Sequence, residues 1–255
     1  MPQMLHTYDH YLLAAIALFG TLGAAGCGYW LGHSRYAGII RTFRGISPPF
    51  VNVIGVLFAL TLAFLANDTW NAHDRATNAV FQEAGALRSI QALSRHLPEP
   101  TRARVDGALQ RYVRLSVEEE WPRLADRHGS PETSEALASL LEVLSGPDVA
   151  KALQPTSHAQ VLEQAVHVRS AREQRMALSQ THVNPLKWLG MAFLGLITMI
   201  SIAMVYVEQP KAELLAVLLF AAAAAPTAAI VLVQGNPYLQ PSAVSPAPLA
   251  ELIAR

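Results

Sequence analysis

The 255 residues carry 19 acidic and 19 basic side chains, so the formal net charge is zero and the basic excess typical of nucleic-acid-binding domains is absent. Hydrophobic residues make up 52% of the chain and charged residues 15%, with a mean hydropathy of +0.26, which fits a membrane protein with one modest soluble portion. The single cysteine, Cys27, excludes an intrachain disulfide framework and a cysteine-based zinc site.

The first apolar stretch covers residues 11–32 and is long enough to cross a bilayer. No Lys or Arg precedes Arg35, so the basic segment of a signal peptide is missing and we expect a mature membrane helix. Small residues recur every four positions at Gly20, Ala24, Gly28 and Gly32. This stripe predicts a close helix–helix contact, either within the chain or between chains.

The second span, residues 50–66, opens a helix that we expect to continue to about residue 96. No proline lies between Pro49 and Pro98, so nothing in the sequence forces a break. At 1.5 Å per residue such a helix extends ~70 Å, about twice the thickness of a bilayer core. We therefore predict a membrane helix that continues into a water-exposed domain.

This second span has two unlike faces. The bulky face contains Phe50, Ile54, Phe58 and Leu65. The small and polar face contains Asn52, Gly55, Ala59, Ala63 and Asn67. In lipid, small residues let helices approach closely, and polar residues favour the bundle interior or a water path. The second face therefore predicts either tight helix packing or, in a ring of subunits, the lining of a narrow pore.

Residues 67–187 are predicted to form an all-helical soluble domain. After a turn at residues 96–100, a helix capped by Thr101 carries apolar residues at helical spacing. Ser130 and Pro131 open a second helix, which ends before Gly146. A last helix, from about residue 156 to 179, leads back to the membrane.

Two charged runs lie in this domain. Arg169, Arg172 and Arg175 recur every three residues and could attract anions in a vestibule. Alternatively, they form a solvated face that is paired in part through Arg169 and Glu173. The run of residues 118–120, three consecutive glutamates, points around its helix and does not converge, so we expect it on the solvated surface.

Two more spans follow, at about residues 188–207 and 214–233. Pro226 frees a backbone carbonyl in the fourth span and predicts a kink there. The tail, residues 234–255, contains four prolines, and we expect it to lie irregularly on the surface.

The sequence therefore predicts an all-α integral membrane protein with four transmembrane helices. A first pair occupies residues 1–66, the soluble domain 67–187, the second pair 188–233 and the Pro-rich tail 234–255. Basic residues flank the membrane on both sides in nearly equal numbers, so the positive-inside rule leaves both orientations open.

No catalytic constellation is recognisable. The sequence contains no Gly-rich phosphate loop, no nucleophile elbow and no His-Glu metalloprotease box. His6, Asp9 and His10 have a spacing that suits metal ligands, but no fourth ligand accompanies them. We predict no enzymatic activity, no metal site and no cofactor.

The end of the second span carries a family resemblance. Residues 64–70, Phe-Leu-Ala-Asn-Asp-Thr-Trp, resemble the Phe-x-x-Asn-x-x-aromatic pattern that ends the second helix in bestrophins, and residues 47–49, Ser-Pro-Pro, precede the span as in some of them. Several later segments look like the bacterial bestrophin-like domain family of membrane proteins: residues 78–87 (NAVFQEAGAL), Tyr112, residues 120–122 (Glu-Trp-Pro) and the region of Arg172 and Arg175.

Bestrophins are pentameric anion channels with a cytosolic helical domain and a hydrophobic neck formed by their second helices. The resemblance implies a homo-oligomer, a pentamer, in the bacterial inner membrane, with its soluble domain in the cytoplasm. It implies that the second span faces the axis and that inorganic anions such as chloride pass. The candidate pore-lining residues are Asn52, Val56, Ala59, Leu60, Ala63 and Asn67. The resemblance implies a neck formed by Asn52, Val56 and Leu60, or by residues one turn away.

The tail lacks the acidic cluster that binds calcium in animal bestrophins, so no calcium activation is expected. A second hypothesis also fits the sequence: a non-conducting membrane scaffold or sensor. Its helical domain would bind a protein partner through Trp70, Tyr112 or Trp121. Oligomeric state separates the two hypotheses, because an axial pore lined by one helix per subunit needs several copies.

Overall fold

The computed structural model describes residues 47–180, 185–206, 208–233, 235–240 and 242–253, with the isolated positions 23, 26 and 30. The following predictions lie outside the described residues: the first span apart from those three positions, its stripe of Gly20, Ala24, Gly28 and Gly32, and the group of His6, Asp9 and His10.

The described ranges contain helices and no strand, which confirms the all-α class. In chain order the α-helices are α1 (Ser47–Ser94), α2 (Glu99–Leu115), α3 (Trp121–Ala125), α4 (Pro131–Ser145), α5 (Pro147–Ala152), α6 (Pro155–Ser179), α7 (Pro185–Tyr206), α8 (Pro210–Val233) and α9 (Ala247–Ala250). A π-helical turn, Ser116–Glu120, joins α2 to α3.

Three of the described helices are long and apolar enough to cross a membrane: Pro49–Ser94, Leu186–Tyr206 and Lys211–Val231. They correspond to the second, third and fourth predicted spans. The four-span topology stays a prediction, because the first span is not among the described residues.

The unbroken helix from the second span onward is confirmed, because α1 runs 48 residues from Ser47 to Ser94. Its two prolines lie in the first turn, where the missing N–H groups cost no intrahelical hydrogen bond. Pro226 lies inside α8, and the helix continues past it to Val233.

The chain divides into two compact units, of which the membrane unit comprises residues 1–70 and 182–235. In its described part α1 packs with α7 and α8 through residues between Phe58 and Ala66. The shared apolar cluster contains Phe58, Leu65, Met191, Ala224 and Val231.

The soluble unit comprises residues 71–181 and 236–255. Its core draws on the second half of α1 and on α2, α4 and α6. The predicted start of α4 is confirmed: the Ser130 hydroxyl accepts a hydrogen bond from the Thr133 backbone N–H at 3.2 Å. The predicted cap at Thr101 is wrong, because α2 begins at Glu99 and Thr101 is buried inside its first turn.

The prediction of a surface tail is also wrong. Tyr238, Val244, Leu249 and Leu252 are buried and belong to the soluble unit's core. Asn236 anchors the segment, because its Nδ2 donates to the carbonyls of Leu124 and Ala125, both at 3.2 Å. The prolines interrupt regular structure but leave apolar side chains free to fill the core.

Candidate functional site

The membrane part of α1 has one buried face. The side chains of Ile54, Phe58 and Leu65 are at most 9% exposed. The Phe58 ring lies 5.3 Å from the Phe220 ring on α8 and fits against Gly195 on α7, where an added Cβ would lie 3.2 Å from Phe58 Cε2. The bulky face predicted from sequence therefore packs within the protomer, except for Phe50, which is 49% exposed.

The opposite face of the same helix is uncovered in the described protein. All six candidate pore-lining residues are exposed there: Asn52, Val56, Ala59, Leu60, Ala63 and Asn67. The exposed arc also contains the larger side chains of Phe50, Val53, Leu57 and Phe64. Part of this surface is therefore bulky and apolar, and part of it is small and polar.

A polar cluster marks the end of the membrane segment of α1. Lys187 Nζ on α7 lies 2.6 Å from Asp68 Oδ2, and both side chains are about half exposed. The Thr69 hydroxyl donates to the Leu65 carbonyl at 3.0 Å, so it is satisfied within the helix. Trp70, one turn after Asn67, is 59% exposed.

A second cluster of functional groups is buried in the soluble unit. Arg175 on α6 donates from Nε to Glu83 Oε2 at 3.0 Å, and its Nη2 lies 3.0 Å from Glu120 Oε1. All three side chains are fully buried. Tyr112 donates its hydroxyl proton to Glu83 Oε1 at 2.6 Å. The cluster thus ties α1, α2, the π-helical turn and α6 together.

Arg172 completes the charge balance of this cluster. Its Nε donates to Glu120 Oε2 at 3.1 Å, and its Nη2 donates to the Ser134 hydroxyl at 2.9 Å. Glu83 and Glu120 are thus matched by Arg172 and Arg175. Each buried charge has an opposite partner and hydrogen bonds, which offset most of the cost of desolvation; Arg175 Nη1 has no hydrogen-bond partner in the described protein.

Burial and the neighbouring charges shift the pKa values of Tyr112 and Arg175. Burial and the Glu83 carboxylate raise the pKa of Tyr112 well above its usual 10.0, so the phenol keeps its proton. Burial alone lowers the pKa of Arg175, but Glu83, Tyr112 and Glu120 outweigh it and raise the pKa overall. The Trp121 ring also covers the Arg175 guanidinium, with 5.1 Å between Cζ and the ring centroid.

The arginine run is therefore not one solvated face. Arg169 is exposed and pairs with Glu173 at 2.8 Å, as predicted. The prediction of solvent exposure is wrong for Arg175 and largely wrong for Arg172, whose side chain is 11% exposed. The carboxylates of Glu83 and Glu120 neutralise the positive charges of Arg172 and Arg175 inside the domain.

The expectation of a solvated surface is also wrong for Glu120. The π-helical turn over Ser116–Glu120 inserts one extra residue into the helical repeat, so Glu120 turns into the core while Glu118 and Glu119 stay exposed.

Two of the aromatic residues proposed to bind a protein partner, Tyr112 and Trp121, are not available on the surface. Tyr112 is fully buried, and Trp121 packs edge-on against Tyr238 at 5.6 Å.

Sequence reasoning missed Glu83 as a site residue, although a signal was present. Glu83 stands at helical spacing between Val80 and Leu87, on the apolar side of α1. Arg175 similarly falls in register with Val168 and Leu178 on α6. A charged residue at a core position of a predicted helix requires a buried partner of opposite charge.

The chain is similar to a known protein family in sequence and to several solved structures in fold. The Bestrophin-like domain model matches residues 19–249. A crystallised variant of a bacterial bestrophin homologue from Klebsiella pneumoniae is 12% identical, with a TM-score of 0.65, over 94% of this chain and 99% of that one. A second variant of that homologue is 10% identical, with a TM-score of 0.66, over 96% of this chain and 97% of that one.

A third solved structure, described as a membrane protein, is 10% identical and has a TM-score of 0.66 over 96% of both chains. Among curated proteins none matches this sequence. The TM-scores show that the fold is shared, and at identities this low the likeness shows the fold alone. The family match covers most of the chain and confirms the resemblance seen in the sequence: the protein is a membrane protein that belongs to the Bestrophin-like domain family.

Proposed function

We propose that this protein is a homo-oligomeric ion channel whose pore is lined by the exposed face of α1. The conducted ions are inorganic anions, and the oligomer is a pentamer, both by resemblance to bestrophins. One observation carries the proposal: within the described protein, the membrane helix α1 buries most of its bulky face against α7 and α8 and leaves Asn52, Ala59, Ala63 and Asn67 of its small and polar face exposed.

The polar residues on the uncovered face favour contact with water. A side-chain amide in hydrocarbon leaves its donors and acceptors unsatisfied, which costs several kcal/mol per group in order of magnitude. Asn52 and Asn67 are both exposed in the described protein. A water-filled axis between subunits satisfies these amides, whereas lipid does not.

The residues between the two asparagines suit a narrow constriction. Val56, Ala59, Leu60 and Ala63 are all exposed and uncharged. Asn52 and Asn67 are separated by ~22 Å along the helix axis. An apolar segment of this length between two polar rings passes ions when it is hydrated and closes when it dries.

A ring of subunits forms through heterologous contacts, in which each copy offers two different surfaces to its neighbours. The exposed arc of α1 is wide enough to provide both a pore lining and a neighbour contact. Phe64 and Val53, which are 68% and 58% exposed, are large apolar side chains available for the contact with a neighbouring subunit.

Flux and thiol labelling in vesicles test the proposal together. The purified protein, with Cys27→Ser as background, is reconstituted and chloride efflux is measured. We expect efflux in the background protein, and block by a water-soluble thiol reagent in Ala63→Cys. The matched control is Leu215→Cys on α8, an apolar position that is 59% exposed and for which we expect no block. A correctly assembled oligomer that passes no chloride overturns the anion channel, and equal block at both positions overturns the pore lining.

The scaffold or sensor hypothesis is weakened by the burial of Tyr112 and the packing of Trp121. Trp70 alone of its three aromatic residues is well exposed, at 59%. A monomer or dimer in mild detergent, without ion flux in vesicles, would favour this second hypothesis.

A further inference from the structure

The proposed pore face continues along α1 beyond the membrane. In an α-helix, side chains at intervals of three and four residues share a face. Starting from Asn52, this spacing passes through Ala63 and Asn67 and reaches Trp70, Asp74, Asn78 and Phe81. All of these residues are exposed, and α1 is described throughout this range.

One residue on this face carries a charge. From Asn52 to Phe81, the residues on this face are Asn52, Val56, Ala59, Ala63, Asn67, Trp70, Asp74, Asn78 and Phe81. The aspartate, Asp74, lies seven residues after Asn67, which corresponds to two helical turns and ~10 Å along the axis. Asp74 is therefore the one charge on this stretch of the face, and Arg88, the next charged residue at the same spacing, is paired with Glu251 at 3.1 Å.

The other charged groups nearby are directed elsewhere or neutralised. Asp68 pairs with Lys187 at 2.6 Å. Arg75 follows Asp74 by one residue, about 100° further around the helix, and its Nε donates to the Asn71 carbonyl at 3.0 Å. Asp74 forms no ion pair within the described protein, so its negative charge is not cancelled by contact.

We propose that Asp74 determines the charge preference of the pore. Repetition of α1 around the axis places one Asp74 carboxylate per subunit in a ring on the conducting path, beyond the Asn67 ring. A ring of like charges concentrates cations and repels anions. The carboxylate ring therefore limits anion passage and lets cations compete. This inference rests on the proposed function, because without an axial assembly there is no ring.

Reversal potentials in planar bilayers under a KCl gradient test the inference. Asp74→Asn removes the charge and keeps the shape, and we expect the chloride-to-potassium permeability ratio to rise by about threefold or more. Asp74→Lys should raise the ratio further. The matched control is Asp106→Asn on α2, which removes the same charge from a partly exposed position off this helix and should leave the ratio unchanged.

Salt dependence separates a direct electrostatic effect from a change in packing. The screening length falls from about 10 Å at 0.1 M to about 3 Å at 1 M salt, so the difference between wild type and Asp74→Asn should shrink at high salt. An unchanged ratio in Asp74→Asn at low salt overturns the inference, and so does an equal shift in Asp106→Asn. Absence of current in the wild-type oligomer overturns the proposed channel instead, so the two failures are distinguishable.

Discussion

Arg175 donates from Nε to Glu83 Oε2 at 3.0 Å, although the two residues are 92 positions apart and both side chains are fully buried. This ion pair joins α1 to α6 within the soluble unit. With Glu120, Arg172 and Tyr112 it forms a charged centre inside the core of the soluble unit.

Removing one member of this pair should strongly destabilise the soluble unit. Glu83→Ala leaves the Arg175 guanidinium buried with one carboxylate instead of two, and we expect a loss of about 3–5 kcal/mol in unfolding free energy. The apolar double substitution Glu83→Leu with Arg175→Met should cost less than Glu83→Ala alone. Denaturant titration in mild detergent measures both.

The control for that series is Glu173→Ala, which breaks the exposed pair with Arg169. We expect a change within about 0.5 kcal/mol, because surface ion pairs contribute little. Equal losses in Glu83→Ala and Glu173→Ala would show that the buried centre does not stabilise the fold.

Two buried tyrosines provide a matched pair of hydroxyl deletions. Tyr112→Phe removes a hydroxyl that donates to Glu83 at 2.6 Å and should cost about 1–3 kcal/mol. Tyr238→Phe removes a buried hydroxyl without a hydrogen-bond partner in the described protein, so it should be neutral or slightly stabilising. Thermal unfolding measures the stability of both variants. A larger loss of stability in Tyr238→Phe than in Tyr112→Phe would contradict the assigned hydrogen bonds.

The same tyrosines predict alkaline instability. The pKa of Tyr112 is raised above 10.0 by burial and Glu83, and that of Tyr238 is raised by burial. Above about pH 10 the unfolded chain releases these protons while the folded chain retains them, so the unfolding free energy falls as the pH rises. Below about pH 10 both states keep the protons and this contribution to stability is fully present.

The measurement is the denaturation midpoint between about pH 9 and pH 11. We expect the midpoint of the wild type to fall steeply over this interval and that of the Tyr112→Phe, Tyr238→Phe double variant to fall less. Parallel curves for both proteins would rule out the two phenols as the cause.

The tail should behave as part of the core. Leu249 is fully buried in the soluble unit, and Leu249→Ala should cost about 2–5 kcal/mol. Pro246→Ala, at a partly exposed position nearby, serves as the comparison. A cost for Leu249→Ala within about 0.5 kcal/mol, the range of surface substitutions, would indicate that the tail lies on the surface.

Two glycines on α7 test the packing of the membrane unit. A Cβ at Gly195 would lie 3.2 Å from Phe58 Cε2, whereas a Cβ at Gly190 meets nothing within 4 Å. Gly195→Val should displace the Phe58 ring and cost about 1–3 kcal/mol, and Gly190→Val should not. Thermal stability in mild detergent compares them, and equal effects would contradict the close approach of α1 and α7.

Much of the helical order was predictable from local signals. The long helix α1 follows from an apolar run without internal proline, and the start of α4 follows from a serine cap before a proline. Local backbone preferences act within a few residues, so these boundaries agree with the sequence prediction to within about two residues.

The buried charged centre was not predictable from the same rules. A period of 3.6 residues places Glu118–Glu120 around an exposed helix, but the π-helical turn changes the register and carries Glu120 inward. A partner such as Arg175 lies far along the chain, and no local pattern identifies it. The prolines of the tail indicated irregular structure correctly but did not reveal its burial.

The sequence by itself determined the helices, the apolar spans and the family, because hydropathy, proline positions and short motifs are local properties. The tertiary structure decided which face of α1 packs within the protomer, which of the arginines are buried and where the tail lies. Those outcomes depend on surfaces contributed by residues far apart in the chain, and burial of apolar and paired charged groups is settled only when these surfaces meet.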